Sequence, residues 1–341
     1  MSRDRRPPPS TVRRRRRVVL VTMAALVMAV VGLGYGAWTS AGRFDRNIHR
    51  VDGVFSGGHR PRALAPHAIN ILVLGSDARG TDPRAMTRSD DPSRSDTIMV
   101  CHLDSAHRHG WVLSIPRDSY VAIPGHGHNK INSAYAYGGA QLTRETVEDL
   151  TGIRFDHYLE INFAGFTAVT DAVGGVDLAV DRTVYDPRSK RTFTAGPHHF
   201  GGAEALDYVR QRYNLPRGDF DREARQQQFL HALLSRAADL SITSDPRRAG
   251  AVLDGASRAM TADSGFDLRN LAWNLRHLRP SDITFVTVPV ARVGADVPGA
   301  GTVVELDKPG ADQLFRAVAT DTMVEWVRGH PRAVTDSTHG R

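Results

Sequence analysis

Residues 208–228, YVRQRYNLPRGDFDREARQQQ, contain five arginines in twenty-one positions. Pro216 and Gly218 prevent one continuous helix here, and Asp219 is a residue type that caps the start of a helix. The first turn of that helix would present Arg222 beside free backbone N–H groups, which attract anions. The pattern therefore favours a phosphate site, with a solvated helix face, partly neutralised by two acidic neighbours, as the alternative.

Other residues can extend this phosphate site. Arg210 and Arg212 precede the turn and would share one side of an extended chain. Gln226 follows Arg222 by four residues and shares its helix face. Lys130, in GHGHNKINSAYAYGG, precedes another predicted helix and either contacts the same anion or is an ordinary solvated lysine.

Acidic residues at the ends of predicted strands form a second set. Asp77 ends the strand in LVLGSDAR, Asp96 begins the strand in SRSDTIMV, and the segment between them has no helical period. A parallel crossover normally contains a helix, so we predict an antiparallel pair that brings both carboxylates to one sheet edge. A third strand returns to that edge at SIPRDS, and the two pairings would gather Asp77, Arg79, Asp96, Arg117 and Asp118.

Neighbouring carboxylates repel each other unless a proton or a cation lies between them. Mg²⁺, with Mn²⁺ as the alternative ion, binds one or two carboxylates and completes its shell with water and phosphate oxygens. Arg117 beside the carboxylates indicates that the anion is a phosphate. Surface Asp–Arg pairs in turns are the alternative, and zinc at His126 and His128 would lack an evident third ligand.

The elements that position these residues alternate between strands and helices. Apolar, β-rich runs predict strands at 69–75, 96–103 and 110–116, and in DHYLEIN, VDLAV and DITFVTVPV. Helical spacing with start and stop signals predicts helices in INSAYAYGGAQLTRETVEDLTG, FAGFTAVTDAVGG, GGAEALDYVR and FDREARQQQFLHALLSRAADL. The mixture predicts an α/β fold, with a central mixed β-sheet sandwiched between helices.

The charge of the chain is concentrated at one end. There are 44 lysines and arginines against 37 acidic residues, but eight arginines and one acid lie in residues 1–17. The remaining 36 basic and 36 acidic residues balance, which argues against nucleic acid as a partner. Cys101 is the single cysteine, so no intrachain disulfide is possible, and its apolar neighbours predict a buried core residue.

Residues 18–38, VVLVTMAALVMAVVGLGYGAW, contain no charged side chain. At about 1.5 Å per residue they extend about 30 Å, enough for one transmembrane helix. Five arginines precede this run, and positive segments stay cytoplasmic. We therefore predict a single-pass protein of the cell membrane, with a cytoplasmic N-terminus and an extracytoplasmic body. WTSAG at the end of the run is a poor cleavage site, which favours a retained signal anchor.

Composition divides the chain into successive parts. We predict one extracytoplasmic domain, bounded by segments that are basic, apolar or rich in Gly, Arg and Pro. The predicted parts are a basic cytoplasmic tail (1–17), a transmembrane anchor (18–38), a stalk (39–67), a catalytic domain (68–328) with its motif-bearing core (68–232), and a disordered C-terminus (329–341).

Six ordered motifs resemble those of the LytR-CpsA-Psr family of cell-envelope proteins. They span roughly residues 68–232 and read NILVLGSDAR, RSDTIMV, LSIPRDSYV, HNKINSAYAYGG, VGGVDL and ALDYVRQRYNLPRGDFDREARQQQ. The fold of that family, a central sheet between helices, agrees with the strand pattern above.

The resemblance implies a Mg²⁺-dependent phosphotransferase that works outside the membrane. Such enzymes are regarded as taking a glycopolymer, such as teichoic acid or a wall polysaccharide, from a polyprenyl-pyrophosphate carrier in the membrane. They join it through a phosphodiester to the cell wall, either to peptidoglycan or to an attached glycan. A membrane anchor would raise the effective concentration of the membrane-bound donor.

The family's site residues are carried onto this chain motif by motif. The resemblance implies that Asp77 and Asp96 bind the metal and that Asp77, Asp96 or Asp118 accepts the proton of the acceptor hydroxyl. The residues implied to hold the pyrophosphate are Arg79, Arg117, Arg210, Arg212 and Arg222, with Gln226 close to it and Lys130 added from its position in the sequence. A groove for the prenyl tail would be lined by Phe163, Phe166 and Val169, which could equally be ordinary core residues.

Two departures and two other functions remain open at this point. The segment between Asp77 and Asp96 is long and basic, and Asp221 stands where the family often has a small residue. The same site with water as acceptor would make a polyprenyl-pyrophosphate hydrolase. A membrane-tethered binding or regulatory protein without turnover is the other alternative, which the matched arginines disfavour.

Overall fold

The computed structural model describes residues 45–76, 95–211, 225, 228–233, 235–236, 254, 257, 260–275 and 277–333. The strands in this part of the chain are β1 (His49–Val51), β2 (Ile69–Ser76), β3 (Ser95–Leu103), β4 (Gly110–Ile115), β5 (Tyr120–Ile123), β6 (Gly127–Lys130), β7 (His157–Ile161), β8 (Val176–Val180), β9 (Val184–Asp186), β10 (Arg191–Phe193), β11 (Gly196–Phe200), β12 (Met260–Asp263), β13 (Ile283–Thr287), β14 (Val290–Val297) and β15 (Gly301–Leu306).

Six α-helices whose ends both lie in the described part of the chain alternate with these strands. They are α1 (Ser133–Thr151), α2 (Phe163–Ala172), α3 (Gly202–Arg210), α4 (Leu268–Leu275), α5 (Lys308–Ala319) and α6 (Met323–Gly329). Residues 228–233 are also helical, and 3₁₀ turns cover Pro280–Asp282 and Pro331–Ala333. The predicted helices that begin near residues 133, 163 and 202 are confirmed.

Seven strands form the central sheet in the order β1-β12-β7-β2-β3-β4-β13. Strand β2 pairs parallel with β7 and antiparallel with β3, and β3 pairs antiparallel with β4. The outer pairs β1–β12 and β4–β13 are parallel. The sheet is therefore mixed, as predicted, and both antiparallel pairings deduced from the sequence are confirmed.

The middle of the sheet is covered on both faces. Successive residues of a strand point to opposite faces, yet Ile71, Leu72, Val73 and Leu74 of β2 are all at most 3% exposed. Every residue of β4 is likewise buried. This burial on two sides explains why these strands read as continuous apolar runs in the sequence, without alternation between polar and apolar residues.

The register of β2 against β3 changes at the edge where the acidic residues were predicted. Gly75 lies opposite Thr97, but Ser76 lies opposite Ser95, so Asp96 falls within the irregularity. Such an irregularity in an antiparallel pair re-aims the local backbone and is common beside functional sites. Asp77 follows Ser76 directly in sequence, so the backbones that lead to both predicted metal ligands reach one edge of the sheet.

Helix α1 ends at a glycine, as predicted. Gly152 adopts a left-handed conformation (φ 66°), and its N–H donates to the carbonyl of Glu148. A residue with a Cβ is strained in this conformation, which explains the glycine. Inside the helix, Gly138 and Gly139 leave helical geometry and break α1 after its first turns.

The folded domain begins earlier than residue 68, the boundary predicted from composition. Part of the predicted stalk forms β1, which pairs with β12 at the edge of the central sheet. Ile48 and Val54, on either side of β1, are 4% and 2% exposed and belong to the main core. The stalk prediction is therefore corrected for these residues, because a three-residue strand has too short a pattern to recognise in the sequence.

A buried arginine fastens this early segment to α1. Arg144 is completely buried, and its Nη1 lies 2.7 Å from Oε2 of Glu148, which is also fully buried. Nε of Arg144 donates to the carbonyl of Val54 at 3.0 Å, and Nη2 donates to those of Ser56 and Gly57. Glu148 also accepts from Nη2 of Arg60 at 2.9 Å. One side chain thus joins the segment that leads into the domain to its longest described helix.

Two predictions about the ends of the chain have different outcomes. No helix in the described ranges is long and apolar enough to cross a bilayer. Residues 18–38 lie outside those ranges, so the predicted anchor stays a prediction. At the other end, α6 and the 3₁₀ turn carry the fold a few residues beyond the predicted domain end at 328.

Cys101 is partly buried, and burial raises the pKa of its thiol to about 12, as expected for a packed cysteine.

Candidate functional site

Three of the predicted site residues form a chain of opposite charges after β4. The carboxylate of Asp118 lies 3.6 Å from Nε of Arg117 and 3.4 Å from Nζ of Lys130. Arg117 and Asp118 are 6% and 7% exposed, so these charges are largely removed from water. Charges at such depth are stabilised only when they are paired, and here one carboxylate lies between two cations.

The loop that carries Arg117 and Asp118 is held on several sides. The carbonyl of Pro116 accepts from both the N–H and the Oγ of Ser119, at 2.9 and 2.6 Å. The N–H of Val304, in β15, donates to the carbonyl of Asp118 at 2.9 Å. The N–H of Asn132 donates to the carbonyl of Arg117 at 3.2 Å. The backbone of the loop is thus fixed before any substrate arrives, which is the condition for electrostatic preorganisation.

Arg210 lies on another element, at the last residue of α3. The Cζ atom of its guanidinium lies 4.3 Å from the centre of the Phe163 ring, a cation–π contact. Its Nε is buried, and no group in the described part of the chain accepts a hydrogen bond from it. A buried guanidinium donor calls for an acceptor, which either a residue outside the described ranges or an anionic ligand would supply.

The sheet topology places both groups at one edge. Phe163 begins α2, directly after the end of β7, and Arg117 follows the end of β4. β7, β2 and β4 run in the same direction, so their ends share the edge at which β3 begins. β7 and β4 are three strand spacings apart, about 14 Å. Arg210 and Arg117 therefore stand on either side of the edge where β2 ends and β3 begins.

The remaining predicted site residues are distributed differently. Asp96 is the second residue of β3 and lies at this edge in the backbone. Five others fall outside the described residues: Asp77, Arg79, Arg212, Arg222 and Gln226. Their roles stay predictions.

One arginine of the opening stretch has a structural role. Arg225 is 5% exposed, and its Nη1 donates to Oε1 of Gln211 at 2.6 Å. Its Nη2 donates to Asp181 at 3.1 Å, and its guanidinium lies over the Tyr208 ring. Burial raises the pKa of Asp181, but hydrogen bonds from Arg182 and Arg225 outweigh it and leave that pKa below the usual range. The arginine-rich stretch thus contains at least one guanidinium that ties elements together.

Sequence reasoning missed two polar residues beside this edge. Asn132 is 3% exposed, its side chain makes no capping bond to α1, and no described group donates to its Oδ1. Glu160, on β7, is 5% exposed and accepts hydrogen bonds from the hydroxyls of Tyr135 and Tyr158, at 2.8 and 2.9 Å. Burial and then the neighbouring Glu160 raise the pKa of Tyr158 well above the usual range, so this phenol stays a donor.

These two residues differ in how they could have been found. Asn132 stands directly before α1, and an asparagine that caps a helix has the same sequence pattern as one whose side chain is available to a ligand. Glu160 is the single charged residue in the otherwise apolar half of DHYLEIN, and a carboxylate in a buried strand is itself a signal. Its two partners lie on α1 and β7, and their approach depends on packing that the sequence does not specify.

The predicted groove-lining residues belong to the core in this structure. Phe166 is 2% exposed and stacks on Phe229 with ring centres 4.6 Å apart, and Val169 is fully buried. Phe163 differs because it is partly exposed and carries Arg210. The ordinary-core alternative therefore describes the first two residues in this structure.

A cavity of about 560 Å³ lies away from the predicted site. Its lining includes Val51 of β1, Arg60 from the segment that follows β1, and His157 at the start of β7. β7 starts at the edge of the sheet opposite to the one that carries Arg117. The described residues include no cluster of three or more His, Cys, Asp or Glu side chains suited to a metal, which also leaves His126 and His128 without a third ligand there.

Comparison with known proteins gives a consistent result. The model of the LytR_cpsA_psr family matches residues 46–320, a longer span than the motifs alone indicated. The cell wall biosynthesis protein LcpA of Corynebacterium glutamicum is 33% identical over 338 residues, covering 86% of this chain and 63% of LcpA. The chain therefore spans less than two thirds of the length of that relative.

A second relative and a solved structure agree with this match. A Bacillus cereus protein named polyisoprenyl-teichoic acid–peptidoglycan teichoic acid transferase TagU is 33% identical over 240 residues, covering 69% of this chain and 75% of TagU. The crystal structure of Bacillus subtilis TagV superposes with a TM-score of 0.61 and 28% identity, covering 74% of this chain and 97% of TagV. The mixed α/β architecture with a central mixed sheet is thus shared with solved proteins of this kind.

Proposed function

This chain belongs to the LytR_cpsA_psr family, and we propose that it transfers a glycopolymer from a polyprenyl-pyrophosphate carrier to the cell wall. The observation that carries the proposal is the buried Arg117–Asp118–Lys130 chain at the sheet edge that also bears Arg210. Such a concentration of guanidinium and ammonium groups suits a pyrophosphate. The transferase name of TagU, a relative of 33% identity, supports the wall as the destination.

Each cation has a distinct part in binding the donor. Arg117 and Lys130 are held by Asp118, which keeps both positive charges at one place. The guanidinium of Arg210 lies over the Phe163 ring, and its Nε has no acceptor among the described residues, so in this proposal a phosphate oxygen accepts from it. Arg79, Arg212, Arg222 and Gln226 complete the set in this proposal. Groups fixed in advance stabilise phosphate charge without rearranging during the reaction.

The proposed reaction is a displacement at phosphorus. The oxygen of an acceptor hydroxyl attacks the phosphorus that bears the glycan and forms a new O–P bond. The bond from this phosphorus to the bridging oxygen breaks, and polyprenyl monophosphate leaves with the electron pair. The arginines stabilise the charge that develops on the phosphate oxygens and on the leaving group.

The hydroxyl proton passes to a carboxylate. Both cations at Asp118 lie within 4 Å of its oxygens, at 3.4 and 3.6 Å, so this carboxylate has a positioning role. Asp77 or Asp96 is then the proposed proton acceptor. The buried Oδ1 of Asn132 can accept a hydrogen bond from the acceptor hydroxyl or from a water.

The site's chain topology fits a divalent cation. Ser76 and Ser95 are paired neighbours, and Asp77 and Asp96 are the residues next to them in sequence. Asp77 and Asp96 would hold Mg²⁺, with Mn²⁺ as the alternative, and the ion would supply Lewis-acid stabilisation of phosphate charge. The described residues around Arg117 add cations and one paired carboxylate, which suits a role in anion binding and leaves the metal to those two aspartates.

A product assay tests the proposal against its alternatives. The full chain in lipid vesicles is incubated with a radiolabelled polyprenyl-pyrophosphate glycan, Mg²⁺ and wall fragments. Label in the wall fraction together with polyprenyl monophosphate is the expected result. Label released as free glycan phosphate would instead identify a hydrolase, and unchanged donor would identify a binding or regulatory protein.

Replacing Arg210 by lysine should reduce transfer by about tenfold to a hundredfold. Lysine keeps the charge but loses the planar group that stacks on Phe163 and forms two parallel bonds to phosphate. Charge-assisted hydrogen bonds of this kind are worth roughly 1.5–3 kcal/mol. The measurement is the initial rate of label transfer at fixed donor concentration.

Two controls accompany this variant. Arg191 contacts the exposed side of α3 through Glu204 and Asp207, and its own side chain is 42% exposed, so Arg191→Lys should keep wild-type rates. Arg217→Lys, between Pro216 and Gly218 in the sequence, should also keep them. Equal activity of Arg210→Lys and both controls would show that the arginine stretch is an ordinary solvated face and not a phosphate site.

The proposed location is the cell membrane, with residues 18–38 as a single anchor and the folded domain outside the cytoplasm. Alkaline phosphatase, a reporter enzyme that is active only outside the cytoplasm, should be active when it is fused after residue 341. The arginines at 13–17 set this orientation, because positive segments remain cytoplasmic. Activity from a cytoplasm-specific reporter at the same position would reverse the proposed topology.

A further inference from the structure

An exposed aromatic pair joins the hairpin that carries Lys130 to the first turns of α1. Tyr137 is 47% exposed, which is unusual for a large side chain in this fold. The ring of His126 stacks on it, with centres 4.6 Å apart and an angle of 18° between planes. The Tyr137 hydroxyl accepts a hydrogen bond from Nδ2 of Asn129 at 2.8 Å. Two rings and one amide thus form a fixed surface, here called the His126–Tyr137 platform.

The backbone on both sides holds the platform in place. His126 stands in the turn between β5 and β6, where its N–H donates to the carbonyl of Ile123 at 2.9 Å. Gly125 and Gly127, which flank it, have φ values of 75° and 68°, conformations that other residues rarely adopt. Tyr137 lies just before the break of α1 at Gly138 and Gly139. The two rings therefore meet because a tight turn and an interrupted helix bring them together.

The platform continues directly into the proposed phosphate site. Asn129 and Lys130 are consecutive residues of β6, and Nζ of Lys130 lies 3.4 Å from Asp118. His126 stands four residues before Lys130, about 13 Å along an extended strand. A second ring pair, Tyr120 and His128, lies across the same hairpin with centres 5.7 Å apart. A chain molecule bound at the phosphate site could therefore extend over this surface.

We propose that the His126–Tyr137 platform binds a pyranose ring of a glycan substrate, an inference that rests on the proposed transferase function. A pyranose has an apolar face of C–H groups, which carry slight positive charge and pack on the negative face of an aromatic ring. The hydroxyls at its edge need hydrogen-bond partners. The amide of Asn129 donates one N–H to Tyr137 and accepts from the N–H of Lys130, which leaves its second N–H and a second oxygen lone pair for a sugar hydroxyl. The glycan belongs either to the donor or to the wall acceptor, since both present the same chemistry.

The surface has few other uses. A wholly apolar partner would cover the second N–H of the Asn129 amide and the ring nitrogens of the two imidazoles without offering them a hydrogen bond. A phosphate alone would need cations, and Lys130, the neighbour of Asn129 in sequence, already faces Asp118. Aromatic rings that expose one face, with polar atoms at the edge of the surface, suit a saccharide.

The test measures binding without turnover. Full chain in detergent is titrated calorimetrically with two probes, a soluble GlcNAc–MurNAc oligosaccharide from digested peptidoglycan and the oligosaccharide released from the donor. The wild type should bind at least one probe. Tyr137→Ala should weaken that Kd by about fivefold to tenfold, the range of one lost aromatic contact. Tyr137→Phe keeps the ring and should retain most of the affinity.

Matched variants separate binding from folding. Tyr185 is 51% exposed on β9, so Tyr185→Ala removes an equally exposed tyrosine elsewhere and should leave both Kd values unchanged. His126→Ala removes the stacked partner from a turn and should weaken the same probe as Tyr137→Ala. The probe that responds identifies the source of the glycan.

Several outcomes would overturn the platform. These are the absence of wild-type binding to both probes, wild-type affinity in both Tyr137→Ala and His126→Ala, or equal losses in Tyr185→Ala. The proposed transfer reaction is tested separately. If the protein binds sugar through Tyr137 but moves no label to wall fragments, sugar binding by the platform stands and the transferase function is refuted.

Discussion

Replacing Asp96 by asparagine should lower glycopolymer transfer by about a hundredfold to a thousandfold, and Asp77→Asn should do the same. Asparagine preserves the size of the side chain but removes the negative charge that would hold a divalent cation. The pairing of Ser76 with Ser95 brings the two chain positions to one edge, so the two variants should lose the same function. EDTA should reproduce the loss in the wild type, and added Mg²⁺ should restore it. The readout is label transferred to wall fragments.

A matched control keeps this result interpretable. Asp177, on β8, is 73% exposed in its side chain, so Asp177→Asn changes the same atoms away from the site and should be fully active. The unfolding midpoint of Asp177→Asn should agree with that of the wild type within about one degree, because surface substitutions of this kind change stability by about 0.5 kcal/mol or less. Similar midpoints for Asp77→Asn and Asp96→Asn would show that their loss of transfer is not a loss of fold. Near-normal transfer by Asp77→Asn and Asp96→Asn would refute metal binding at this edge.

Replacing Arg144 by methionine should reduce the free energy of unfolding by about 3–5 kcal/mol. The substitution removes the partner of the fully buried Glu148 and the donors to three backbone carbonyls of residues 54–57. Arg60 still contacts Glu148, which limits the loss. The unfolding midpoint should fall by roughly 6–20 °C, at about 2–4 °C per kcal/mol for a domain of this size.

The comparison for this variant is another arginine in a helix. Arg316 is exposed on α5, so Arg316→Met should shift the midpoint by less than about two degrees. Arg144→Lys keeps the charge but replaces the forked guanidinium by a single ammonium group, which can reach fewer of the acceptors. Its unfolding midpoint should therefore lie between those of the wild type and Arg144→Met. Equal midpoints for Arg144→Met and Arg316→Met would show that Arg144 contributes little to stability.

The sequence predicted the centre of the fold better than its margins. The strands β2, β3 and β4 were recognisable because they are long apolar runs, and the missing helix between β2 and β3 determined their direction. Strand β1 was not recognised because it has three residues, and its partner β12 lies more than two hundred residues away. The ribbon of β14 and β15 was also missed, since its exposed residues have no clear alternation.

The candidate site shows the same division. Arg117 and Asp118 were predicted at this edge, because the ends of the strands are visible in the sequence. The contact of Lys130 with Asp118 was not predicted, because the hairpin of β5 and β6 was not recognised. The contact between Arg210 and Phe163 was not predicted, although each residue was considered separately. Side-chain pairs between α1 and the sheet, such as Tyr135 with Glu160, depend on helix placement, which no local pattern specifies.

Strand β1 has a consequence for where in the envelope the proposed reaction takes place. It begins at His49, eleven residues after the predicted end of the membrane span at residue 38. Eleven residues extend at most about 38 Å, at about 3.5 Å per residue. With β1 built into the sheet and Arg144 closing the following segment onto α1, no further slack is available. With residues 18–38 as the proposed membrane anchor, the folded domain is tethered close to the bilayer, and new polymer would join glycan strands that lie next to the membrane.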